Sequence, residues 1–160
     1  MNLKDNINES EVTRILEIDF LDHPEPIVLR SGTFRGLIIA YNSCNLPIVE
    51  NESGIYILYA NDGDNEEHNE IIAEDIEVFK KILNLFVEVF YGYDLDKAEE
   101  QTERNKVIVS ETLRKILLYS PKNKLQFWSD TLGNMLLAWD YLEDILTRNF
   151  KDFKFNKMPY

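Results

Sequence analysis

The spacing of apolar residues changes along this chain. As far as Ala60 they come in short runs rich in branched and aromatic side chains, separated by turn formers; beyond His68 they recur every three or four positions. Val12–Leu21, with partial alternation at Leu16, Ile18 and Phe20, reads as a first strand. Asp22-His23-Pro24-Glu25-Pro26 ends it, because two prolines restrict the preceding residues and remove two amide donors. Ile27–Leu29 forms a short strand before the turn Ser31-Gly32, and Phe34–Tyr41 a central one. Asn42–Asn45 and Asn51-Glu52-Ser53-Gly54 are turns, and Ile55–Ala60 is the clearest strand. Connections this short favour antiparallel hairpins over helical crossovers of about a dozen residues.

The second pattern predicts three helices. From His68 to Phe90 the stripe is Ile72, Ile76, Phe79, Leu83, Phe86 and Phe90, widened by Ile71, Ile82 and Val89, with Gly92 as the stop. A second helix, from about Lys97 to Tyr119, buries Ile108 or Val109, Leu113, Ile116 and Leu117, and Pro121 closes it. Glu100–Arg104 and Glu111–Lys115 lie on it in the favourable order, worth about 0.2–0.5 kcal/mol each. The third starts at Ser129 or Asp130 and presents Leu132, Met135 or Leu136, Trp139, Leu142, Leu146 and Phe150. Strands first and helices afterwards predict an α+β fold, a small mostly antiparallel sheet from the N-terminal part packed against about three C-terminal helices. The competing arrangement is a mixed α/β sheet in which Leu125–Trp128 or the tail adds a strand.

Length and composition fit one compact domain over 1–160. At 44% hydrophobic the chain has enough apolar surface to fold. No run approaches the roughly 18–20 apolar residues of a membrane span, and the start Met1–Asn6 lacks an export pattern. A single cysteine, Cys44, excludes an internal disulfide framework and points to the cytoplasm. Its neighbours Asn42, Ser43 and Asn45 supply no base to activate it.

Charge changes the picture more. The net charge is −12, and residues 61–80 hold eight acids against one base, whereas residues 101–160 hold seven against ten. Such acidity opposes direct nucleic-acid binding and favours a basic protein partner. Asp62, Asp64 and Glu66 alternate as in a calcium loop, but the sixth and twelfth positions, Glu67 and Ala73, lack the required Gly and Glu. No metal site and no cofactor is therefore assigned. Within the predicted first helix, Glu67, Glu70, Glu74 and Glu77 are spaced by three, four and three, which places them on one face opposite the apolar stripe. Early acids oppose the helix dipole. The crowding of Asp62, Asp64, Glu66 and Glu67 in front of it suits docking on Lys or Arg. These seven acids form the candidate partner-binding set.

Catalytic patterns are poor: His23 and His68 fit no zinc signature, and there is no glycine-rich phosphate loop. Asp19, Asp22 and His23 are the nearest thing to an acid–base cluster, and form more simply a polar strand end. Residues 148–160 interleave four bases with aromatics. They read as a tail with Phe153 and Phe155 docked on the domain; stacking on single-stranded nucleic acid or self-association are the other uses. The expectation is a small acidic cytosolic protein that inhibits or neutralises a basic macromolecular partner, as immunity and anti-defence proteins do. Its alternatives are a carboxylate-based metal-dependent hydrolase or lyase, and a structural self-associating protein.

Overall fold

The computed structural model describes residues 8–29, 34–59, 68–92, 102–121 and 125–136. They form an α+β fold: a five-stranded sheet in the order β1-β2-β3-β4-β5, every neighbouring pair antiparallel, with helices before and after it. The elements are α1 (Glu9–Leu16), β1 (Asp19–Val28), β2 (Arg35–Tyr41), β3 (Pro47–Asn51), β4 (Gly54–Tyr59), β5 (His68–Ala73), α2 (Ile76–Gly92), α3 (Thr102–Tyr119) and α4 (Gln126–Leu136). The expected tail, 148–160, lies outside the described residues, as do Trp139 and the rest of the third predicted helix beyond Leu136.

Four local expectations are corrected. The first half of the expected opening strand is helix α1, nucleated by Asn8, whose side-chain oxygen accepts from the Glu11 amide at 3.3 Å. Val12 and Leu16, four residues apart, are its buried pair, and Glu17 ends it in the left-handed conformation, φ 55°. Second, β1 runs through Pro24 and Pro26 instead of ending before them. An edge strand tolerates missing donors, and its register shifts between Phe20 and Glu25. Third, Pro47–Asn51, unassigned from its pattern, is strand β3. Gly36 allows it to approach β2, since a Cβ there would lie 2.5 Å from Val49 Cγ1. Fourth, the helix expected from His68 starts at Ile76: His68–Ala73 pairs with β4, and Asp75 caps α2 by accepting from the Val78 amide at 2.8 Å.

Two shifts of register build the core. In β2 the shift between Ile38 and Ala40 makes Ile39 an extra residue, so that Ile39 and Ala40 both enter the main core. In β5 the extra residue is Ile72, and Ile72 and Ala73 do the same. This core joins the sheet to the helices through Phe79, Leu83 and Phe86 of α2, Val109, Leu113 and Ile116 of α3, and Trp128 and Leu132 of α4. Trp128 is fully buried, 5.3 Å from the Phe86 ring, and its Nε1 donates to the Ile72 carbonyl at 2.7 Å. Leu125–Trp128 is thus the entry into α4, and the added strand of the mixed-sheet alternative is not formed there. On the opposite sheet face Ile38, Val49 and Leu58 form a smaller cluster. No helix among the described residues is long and apolar enough to cross a membrane.

Candidate functional site

The candidate acids do not share a helical face. Asp62, Asp64, Glu66 and Glu67 lie outside the described residues. Glu70 sits on β5 directly opposite Ile57, a core residue, and therefore on the helix-covered side of the sheet. It is 7% exposed, and the Tyr59 hydroxyl donates to its Oε2 at 3.4 Å. Glu74 falls in the bend between β5 and α2 and is half-buried. Glu77 is in the first turn of α2 and exposed, with Lys80 Nζ 3.4 Å from its Oε1. The reason is the chain conformation: at strand spacing, residues three apart point to opposite sheet faces, so the helical geometry that would align Glu70 with Glu77 does not exist. Branched Ile71-Ile72 together with the capping Asp75 was the sequence signal for a strand followed by a later helix start.

Asp19, Asp22 and His23 are exposed along the edge strand β1 and do not line the described cavity. Among the described residues no three His, Cys, Asp or Glu side chains are grouped to hold a metal ion.

Sequence reasoning missed a cavity of about 400 Å³ at the opposite end of the core from the α2 cap. Its walls come from four elements. Ile15, Leu16, Glu17 and Ile18 form the end of α1 and the connection to β1; Tyr59 is the last residue of β4. Phe127, Asp130, Thr131, Asn134 and Met135 form one stripe of α4, at spacings of three, one, three and one. Asn42, Ser43, Cys44 and Leu46 belong to the β2–β3 turn. That turn is shaped by Asn42, whose Oδ1 accepts from the Cys44 amide at 3.0 Å and the Leu46 amide at 2.8 Å. Asn45 takes φ 59°, a conformation asparagine adopts at low cost. Cys44, expected to be unactivated, is exposed on this turn with Ser43 Oγ 4.0 Å from its sulfur.

Asp130 is the chemically distinctive wall residue. Its Oδ1 accepts from Gln126 Nε2 at 3.0 Å, while Oδ2 is buried and makes no hydrogen bond among the described residues. Burial raises its pKa above the ordinary aspartate value, and the Gln126 bond opposes part of that rise. The cavity walls carry two carboxyl groups, Glu17 and Asp130, and no Lys, Arg or His among the described residues. Comparison of the chain with protein-family models, with curated proteins and with solved structures finds no match.

Proposed function

We propose that this is an acidic, cytoplasmic binding protein that docks on a basic macromolecular partner and inhibits or neutralises it by occlusion. The observation that carries the reading is the concentration of eight acids against one base in residues 61–80, within a chain of net charge −12. Like charges held close together repel, and Lys or Arg side chains of a partner convert that repulsion into attraction and a faster encounter. Asp62, Asp64, Glu66 and Glu67 supply the greatest density, and exposed Glu77 adds to it. Burial removes Glu70 from the docking set, and Asp75 is committed to capping α2. Glu74, half-buried, contributes field more than contact.

The test is capture of a partner on the immobilised full chain, followed by the association kinetics and the activity of the purified partner. Replacing Asp62 and Asp64 by Asn, and Glu66, Glu67 and Glu77 by Gln, is expected to slow association by about tenfold or more at low salt. Circular dichroism should be unchanged, and the partner's activity should return as binding is lost. A partner that associates equally fast with both chains, or that works normally in the complex, overturns the reading.

A further inference from the structure

We propose that the outward face of α3 pairs with the same face of a second copy of this chain, the two helices running antiparallel about a two-fold axis. Val109, Leu113 and Ile116 turn α3 toward the core, and Thr112 is buried beside them. The opposite side bears Val107, Glu111, Arg114 and Leu118, at spacings of four, three and four. At 3.6 residues per turn these four fall within about 60° of arc, opposite Thr112 and Leu113. Val107 is 54% and Leu118 80% exposed, and Glu111 and Arg114 are exposed between them. Among the described residues neither charge makes an ion pair within the chain.

The stripe is complementary to itself read backwards. Its centre lies between Thr112 and Leu113, so an antiparallel copy sets Val107 opposite Leu118 and Glu111 opposite Arg114, each pair twice. A rise of 1.5 Å per residue puts the two apolar pairs about 16 Å apart, with both ion pairs between them. A parallel pair in register would instead set Glu111 against Glu111 and Arg114 against Arg114, which repel. Charge also selects the occupant. Residues Thr102–Tyr119 hold four bases against two acids in a chain of net charge −12, so two copies meet here without the repulsion they bring elsewhere. A strongly basic partner finds its complement in residues 61–80 and not on α3. None of the acids assigned to that docking surface lies on α3, so the two contacts are tested separately. A contact over about three turns of one helix buries less than about 1,200 Å² in total, which fits a reversible dimer of micromolar affinity.

Sedimentation equilibrium of the full chain, from about 5 to about 500 μM in about 0.15 M sodium chloride, tests this. A monomer–dimer equilibrium with a Kd of about 100 μM or tighter is expected. Glu111→Arg and Arg114→Glu, made singly, set like charges against each other across the axis and should weaken the dimer by about tenfold or more. Glu111→Arg also reduces the net negative charge, so general repulsion alone predicts the opposite change. The double variant restores opposite pairing at unchanged net charge and should recover the original Kd to within about threefold. Leu118→Glu, at an exposed position, should weaken pairing as the single reversals do, with helical circular dichroism unchanged in all four variants. A chain that stays monomeric at about 500 μM overturns the proposal. So does association that Leu118→Glu or the single charge reversals leave undiminished, or a double variant that pairs as weakly as the singles.

Discussion

Glu11, Arg14 and Tyr91 join α1 to the end of α2 across 80 residues of sequence. Arg14 Nη2 donates to Glu11 Oε2 at 2.8 Å and to the Tyr91 hydroxyl at 2.9 Å, and Tyr91 donates to the same Glu11 oxygen. The guanidinium also lies 5.4 Å from the Phe90 ring centroid. The Arg14 hydrogen bond, and after it that of Tyr91, lowers the Glu11 pKa. A carboxyl whose pKa is depressed by folding contributes stability above its unfolded pKa and loses it as pH falls through the folded value. Glu11→Gln is therefore expected to lower Tm at pH 7 and to lose that effect below about pH 4. The same Tm difference at pH 7 and pH 3 would show that the ionised pair is not the source. This site was not read from the sequence: Glu11 and Arg14 have helical spacing, but their segment was expected to be a strand, and a partner in α2 leaves no periodic trace. Asp130 was visible as a capping candidate for the third helix, yet α4 begins before it at Gln126, and the cavity it lines draws its other walls from three further elements.

Among the elements, the stripes of α2 and α3 were recognisable from apolar spacing alone: Phe79, Leu83 and Phe86 are buried, as are Val109, Leu113 and Ile116. Local signals disagreed in two places. Val12–Leu16 is rich in branched residues, but Asn8 and the Glu11–Arg14 pair favour helix, and packing of Val12 and Leu16 in the core decides for it. His68–Ala73 continues the helical spacing of Ile72 and Ile76, but pairing with β4 satisfies its backbone instead. The register shift at Ile72 then brings its carbonyl to the Trp128 indole, which links β5 to α4. Trp128→Phe keeps an aromatic ring beside Phe79 and Phe86 while removing that donor. A loss of about 1–3 kcal/mol is expected in denaturant unfolding, against about 3–5 kcal/mol for Trp128→Ala. If Trp128→Phe is nearly neutral while Trp128→Ala keeps its full cost, packing alone sets the energy and the hydrogen bond contributes little.

Across the whole molecule the excess of acid works against compactness. At net charge −12 the native state repels itself more strongly than the expanded chain does. Raising ionic strength from 0.01 to 0.15 M shortens the screening length from about 30 Å to about 8 Å. Tm is therefore expected to rise by a few degrees over that interval in sodium chloride, read by circular dichroism. A fall in Tm would mean that attractive pairs such as Glu11–Arg14 outweigh the general repulsion. The same salt increase is expected to slow docking on a basic partner, so stability and association should move in opposite directions.

The sequence by itself determined the α+β order, the buried stripes of α2 and α3, and the bulk polarity of charge, because each depends on composition or on spacing within one segment. Tertiary structure decided three things that such spacing does not carry. Cross-strand pairing turned His68–Ala73 into β5 and moved Glu70 from an expected outer ridge into the interior. Packing turned the segment before Glu17 into α1. Convergence of α1, the β2–β3 turn, Tyr59 and α4 created the cavity around Asp130 from residues that are separately unremarkable. The physical reason is common to all three: a side chain's face and solvation are set by partners distant in sequence, while periodicity reports only on neighbours.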